Sequence, residues 1–252
     1  MRAAFLEVER RALADVWAHK KLLAAHLVGN ALLALLAYAW LSMPDQTVSQ
    51  LVISALVAVL ALFTALWLHA AALAAFHPVG QARGLAVVTL RRLPKLLPWA
   101  VLAAAVVAVV VWLAGYQSAV TANLASRFTL WWRRPVSPQS VDWLYPALLR
   151  SLGLIVLLAL LPLASQAAGG GFSRRNALRV IGRWRYWLAC ALLVLVGIFL
   201  PGRLVWWILP VKGLFAEAVS VIVRFTVAYI LAVTAWLTLA AVIGRLGSER
   251  KE

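Results

Sequence analysis

An all-α, polytopic membrane protein with six transmembrane helices is the fold class this sequence predicts, on three observations. Hydrophobic residues make up 65% of the 252 and charged ones 13%, where a soluble surface needs about 25%. The apolar residues gather into long uninterrupted runs, and the mean hydropathy is +0.92. The basic residues fall between those runs, not within them.

The runs set the elements in order. No Asp, Glu, Lys or Arg interrupts Leu22–Pro44, Gln46–Ala82, Leu96–Ser126, Ser151–Ser173 or Phe225–Gly244. Each reaches the ~20 residues that a helix needs to cross ~30 Å of hydrocarbon. Tyr186–Gly202 is shorter, but continues past Arg203 into Leu204–Pro210, which predicts a tilted or snorkelled fifth span. None of the runs alternates with period two, so a transmembrane barrel is excluded. The chain reads as one integral membrane domain, 1–252.

A net charge of +16 raises nucleic acid as a partner, but no soluble basic domain exists to hold it. The charges set orientation instead. With loops assigned alternately, 17 lysines and arginines fall on the side of the termini: Arg2, Arg10, Arg11, Lys20, Lys21, Arg83, Arg91, Arg92, Lys95, Arg174, Arg175, Arg179, Arg183, Arg185, Arg245, Arg250 and Lys251. Six fall on the other (Arg127, Arg133, Arg134, Arg150, Arg203, Lys212), and Arg224 lies inside a span. The positive-inside rule makes both termini cytoplasmic. Tryptophans such as Trp40, Trp112, Trp131, Trp132 and Trp207 near helix ends fit interfacial belts. Lys20-Lys21, the following run and Ala37-Tyr38-Ala39 imitate a cleaved signal peptide, but twenty residues precede the run, so an uncleaved first span is expected.

The basic segments on the termini side align without gaps. Leu13, Leu85 and Leu178 correspond, as do Val16, Val88 and Ile181, and then Lys20, Arg92 and Arg185. This predicts three repeats, 1–80, 81–172 and 173–252, each an amphipathic surface helix followed by a transmembrane hairpin. Chance alignment of short basic linkers is the alternative. In the third segment Arg175, Arg179 and Arg183 recur every four residues as one cationic stripe, with Ala177, Ile181, Trp184 and Leu188 opposite.

Small-residue stretches at Ala71–Gly80 and Ala164–Gly171, followed by Ala-Leu-containing basic helices such as Ala177–Arg185, resemble a group of bacterial six-span proteins. The group includes YciC-like inner-membrane proteins and the membrane domain attached to some glycerophosphoryl diester phosphodiesterases. The resemblance covers most of the chain and implies six helices in the bacterial inner membrane. It carries over no catalytic residue, and nothing here resembles the phosphodiesterase domain itself.

Candidate chemistry is sparse. Glu217 and Arg224 stand two helical turns apart near the outer start of the sixth span, either as an intramembrane pair or as an outer-headgroup carboxylate with a snorkelling arginine. His26, His69 and His77 share one leaflet, which makes axial haem ligation conceivable, although hydrogen bonding between helices is the simpler reading. Trp131-Trp132-Arg133-Arg134 in an outer loop, Gln117–Tyr145, reads as an interface anchor whose arginines contact phosphates or a partner. Gly169-Gly170-Gly171 lacks the lysine of a phosphate-binding loop, and the one cysteine, Cys190, forms no framework. No catalytic constellation, metal site or cofactor is expected.

The expected function is therefore non-enzymatic: a scaffold or subunit of a membrane assembly, with a membrane-protein partner or a second copy. It engages anionic phospholipid through Arg175, Arg179, Arg183, Arg91, Arg92, Arg133 and Arg134. A transporter or lipid-handling permease is the alternative, weakened by the scatter of Asn30, Ser54, Thr64, Ser220 and Thr226.

Overall fold

The computed structural model describes residues 2–44, 46–77, 85–170, 172–207 and 213–248, with side chains from residue 7 onward. The described residues are helical with no strand, and six helical stretches are long and apolar enough to cross a membrane. These are Lys20–Leu41, Val48–Ala75, Leu85–Ala114, Pro138–Gly169, Trp184–Trp206 and Leu214–Ser248. The chain is built as a multi-pass membrane protein. It forms two compact units, Met1–Leu96 with Pro162–Glu252, and Leu97–Leu161.

In the first unit, α1 (Arg2–Ala18) stops at His19, whose backbone (φ −91, ψ 52) leaves the helical region. The His19 imidazole donates from Nδ1 to Asp15 O at 2.8 Å, a carbonyl that also accepts from His19 N at 3.1 Å. α2 (Lys20–Leu41) and α3 (Val48–Ala75) follow as a hairpin. Thr47 and Gln50 start α3 with a capping box: Thr47 Oγ1 accepts from Gln50 N at 3.3 Å, and Thr47 N donates to Gln50 Oε1 at 3.1 Å. Along the chain α4 (Leu85–Ala114), α5 (Gln117–Trp132), α6 (Pro138–Val141), α7 (Leu144–Gly169) and α8 (Arg174–Ile181) come next, α5 and α6 belonging to the second unit.

The fifth span is α9 (Trp184–Val194), a π-helical turn over Leu195–Phe199, and α10 (Leu200–Trp206). Its cause is Pro201. A proline ring collides with the carbonyl four residues back, here that of Gly197, and the wider π turn relieves the clash.

α11 (Leu214–Ser248) is the core of this unit, with most side chains buried from Val233 to Leu246. Its 35 residues span ~52 Å, well beyond the hydrocarbon thickness. Small residues let backbones meet there: a Cβ on Gly244 would lie 2.0 Å from Phe76 O, so the end of α3 touches α11 directly. Across this contact the buried Ala70–Ala74 run faces a helix carrying Ala240, Ala241 and Gly244. Packing of this kind replaces hydrophobic burial, which lipid does not reward.

In the second unit, the expected outer loop Gln117–Tyr145 is largely helix: α5 spans 16 residues and α6 four. No proline or glycine lies between Gly115 and Pro135 to break it. Arg133, in the left-handed region at φ 53, ends α5 ahead of Pro135. Asp142 then ties α5 down, accepting from Gln117 Nε2 at 2.9 Å and Thr121 Oγ1 at 3.3 Å. Tyr145 OH donates to Leu113 O at 2.8 Å.

The three aligned basic segments differ in form, and the threefold unit is not reproduced. α1 is a separate helix, held to α11 by Ala12 and Val16, both buried. Gly84 lies outside the described residues, and Leu85–Arg92 runs without a break into the third span as part of α4. The third segment is the eight-residue α8, which ends at Gly182. The expected stripe loses a member there. Arg183 adopts an extended backbone (φ −89, ψ 122), which takes it off the helical period of Arg175 and Arg179. The opposite face differs too: Ala177 and Val180 are buried, whereas Trp184 and Leu188 are exposed.

Candidate functional site: a groove between α2 and α3 with a basic mouth

α2 and α3 do not close along their whole length. Between them, and against Leu85 and Ala86 at the start of α4, runs a groove of about 940 Å³. Leu22, Ala25, Val28, Leu32, Leu33 and Leu36 of α2 and Leu68 and Ala71 of α3 give it an apolar wall. Trp67 Nε1 donates to Ala86 O at 3.2 Å and fixes the indole in that wall. Lys20 to Leu36 covers ~24 Å of helix, more than one leaflet of hydrocarbon. His19, Lys20 and Lys21 form the mouth. Both lysines are exposed, and neither has an acidic partner among the described residues.

Two of the arginines predicted as lipid contacts, Arg92 and Arg183, are committed to the protein, and so is Arg245. Arg92 Nη1 donates to Ala168 O, 2.8 Å away in the last turn of α7, a cation placed on the negative end of a helix. Gly170 (φ 87) leaves the room, since a Cβ there would lie 2.6 Å from the Arg92 guanidinium. Next to it His77 bonds Gln166; burial, with Arg92 adding to it, lowers the affinity of the imidazole for a proton, and the Gln166 bond opposes this. Arg183 Nη1 likewise donates to Leu246 O at 2.9 Å, near the end of α11. Arg245 joins α11 to α1, with Nε 2.7 Å and Nη2 2.6 Å from Asp15 Oδ2.

Of the predicted lipid contacts, Arg91 and Arg175 are exposed and Arg179 is half-buried. Arg133 and Arg134, in the second unit, are also exposed. Trp131, Trp132 and Phe128 stack beside them on α5.

The intramembrane polar residues separate. Arg224 donates from Nε to Ser220 O at 3.1 Å and from Nη1 to Trp207 O, just past the end of α10. Glu217 is exposed and makes no ion pair with Arg224 among the described residues. His26 and His69 do come together, with ring centroids 6.1 Å apart, and Trp236 of α11 meets His69 edge-on at 5.1 Å. Buried His69 Nδ1 and Trp236 Nε1 have no hydrogen-bond partner among the described residues, while the His26 ring lies against the backbone of Leu22 and Leu68. No group of three or more His, Cys, Asp or Glu gathers as a metal-ligand set among the described residues.

Sequence reasoning counted Lys20 and Lys21 toward orientation and overlooked them as a site. The available signal was their place at the first turn of a span, directly after a helix break. Trp236 had none, because its neighbours lie far away in sequence. Comparison with protein-family models, curated proteins and solved structures finds no match to this chain.

Proposed function

We propose that this protein is a non-enzymatic membrane subunit that holds an anionic glycerophospholipid, acyl chains in the α2–α3 groove and headgroup at Lys20 and Lys21. The observation that carries this reading is the groove itself: apolar along its length, open sideways, and basic at one end only. A lipid phosphate beside two lysines gains ~1 kcal/mol from each. Arg91, Arg175 and Arg179 add positive charge and make no ion pair among the described residues, consistent with an anionic surface nearby. On this reading the termini lie in the cytoplasm, for which the charge asymmetry is the support, and the membrane is a bacterial inner membrane, for which the sequence resemblance is the support.

Two measurements test this. Wild type and the double variant Lys20→Gln/Lys21→Gln are purified in detergent, and retained phosphatidylglycerol and cardiolipin are quantified by mass spectrometry. The variant should keep much less of both; equal retention removes the proposal. Cysteines introduced at Gln46 and Gln139 should react with an impermeant reagent in intact cells, whereas those at Ser173 and Ser248 should not. Outside labelling of Ser173 overturns the orientation. The sideways opening also suits a lipid-handling permease, and headgroup translocation of labelled lipid in proteoliposomes would establish that reading instead.

A further inference from the structure

The groove makes no use of the second unit, where the chain builds an arm. α5 leaves the end of α4 through the turn at Gly115 and Tyr116, and the chain then doubles back along it. Val136 N donates to Thr129 Oγ1 at 3.0 Å near the far end, and Gln117 Nε2 to Asp142 Oδ1 at 2.9 Å near the start. Residues 133–137 are therefore the tip of a hairpin, with the 16 residues of α5, ~24 Å of helix, between tip and base.

Aromatic side chains collect at both ends of this arm. At the base are Trp112 and Tyr116, edge-on at 5.3 Å, and Trp143, all three exposed. Tryptophan and tyrosine at the ends of spans sit at headgroup level, so the base, where α4 ends and α7 begins, marks that layer. At the tip Phe128 and Trp132 stack at 5.1 Å and Trp131 lies against Trp132 at 6.1 Å. Leu130 and Trp131 are 79% and 76% exposed. One bilayer surface receives both clusters only if α5 lies along it. An upright arm would hold the second cluster ~24 Å out in water, where large apolar side chains gain nothing.

The sides of α5 agree with that placement. A thin apolar line of Val120, Leu124 and Trp131 falls within about 40° around the helix. Buried Thr121 and Ala125 lie next to it, and Ser118, Ala122 and Ser126, small and exposed, lie opposite. Arg127, Arg133 and Arg134 are exposed toward the tip and make no ion pair among the described residues. Asp142 is the one acid of this unit, and Gln117 and Thr121 hold it at the base. A symmetric contact between two such arms would set three arginines against three. Lipid headgroups instead offer phosphate to the guanidinium groups and an apolar boundary to the indoles.

We propose that α5 is an in-plane membrane anchor: it lies in the headgroup layer at the end of α4, Trp131 in the acyl boundary and Arg127, Arg133 and Arg134 on lipid phosphates.

The test uses the full chain in vesicles of phosphatidylglycerol and phosphatidylcholine. Single spin labels, in a Cys190→Ala background, replace Val120, Leu124 and Trp131 on the line and Ser118, Ala122 and Ser126 opposite. Power saturation should put the first three at one shared depth, favouring oxygen over a water-soluble nickel complex, and the second three in water. In wild type, a phospholipid with a diazirine in its headgroup should cross-link to residues 127–134, located by mass spectrometry. Arg127→Gln/Arg133→Gln/Arg134→Gln should lower that yield by roughly fivefold or more. Lys20→Gln/Lys21→Gln should leave it unchanged, so the anchor and the groove stand or fall separately. A Trp131 label in bulk water would mean an upright arm, and one shielded from both reagents a protein partner; either overturns the proposal. So does wild type uncross-linked at 127–134, a result that needs no labelled variant to fold.

Discussion

Two corners of the first unit use basic side chains in opposite ways. Where α7, α8 and α11 end, Arg92, Arg183 and Arg245 are spent on Ala168 O, Leu246 O and Asp15. At the groove mouth, Lys20 and Lys21 are exposed and have no acidic partner among the described residues. A topology count treats these five residues alike. The contacts divide them, because guanidinium groups reach several acceptors in a fixed plane, whereas an ammonium is a mobile, strongly hydrated point charge. The first corner holds helices together and the second is left for something outside the chain.

The largest effect should come from the close contact beneath the arginine corner. A methyl on Gly244 meets Phe76 O at 2.0 Å, and that atom is backbone, so the end of α3 must move. Gly244→Ala is expected to cost ~3 kcal/mol, seen as a lower melting temperature in detergent and a loss of monodisperse protein. A neutral outcome would mean that α3 and α11 do not touch there.

Arg183→Gln comes next. It strands Leu246 O in a partly buried position and should cost ~1–3 kcal/mol, while Arg91→Gln, exposed, should stay within ~0.5 kcal/mol. Equal destabilisation by both would erase the distinction between committed and free arginines. Lys20→Gln/Lys21→Gln should show the reverse signature: an unchanged melting temperature, and weaker anionic-lipid retention by at most ~2 kcal/mol. Raised salt should imitate part of that loss in wild type.

Five of the six spans were legible from sequence because each holds a charge-free run long enough for a membrane crossing. The fifth span, Tyr186–Gly202, is shorter and reads as a span only by continuing past Arg203. Helix α5 was not legible. Its Gln117–Trp132 stretch mixes polar and aromatic residues without a clear apolar stripe, and the long-range bonds from Asp142 that hold it cannot be read locally. The threefold alignment matched residue types correctly but not their surroundings. Leu85–Arg92 and α8 share a pattern, yet one continues into a span and the other stops at Gly182. For the site, the free lysines were visible as charges, but their freedom shows only once the arginines are seen to be occupied. Likewise His26 and His69 were visible, but their 6.1 Å spacing depends on the register of the hairpin.

The smallest expected effect tests how α1 is held. Beyond the Arg245–Asp15 pair, α1 turns Glu9 inward, and Glu9 Oε1 is buried without a partner among the described residues. The Cys190 thiol of α9 lies within electrostatic reach, next to Tyr186 on the same helix. Burial disfavours the carboxylate and raises its pKa above the ordinary 4.5. The folded state therefore binds this proton more tightly than the unfolded chain does. At pH below 4.5 both states are protonated and Glu9 costs nothing. As pH rises from 4.5 through the raised value, the docked helix must bury a charge or give up its proton, and stability falls. Glu9→Gln removes that dependence while keeping the shape. Because Glu9 is only half-buried, the gain should be well under ~1 kcal/mol. Melting curves in buffers from pH 5 to 8 should thus decline slightly more for wild type than for Glu9→Gln, with the variant ahead at the alkaline end. If the two decline in parallel, Glu9 sits in water and α1 is anchored by Ala12, Val16 and the Asp15 pair alone.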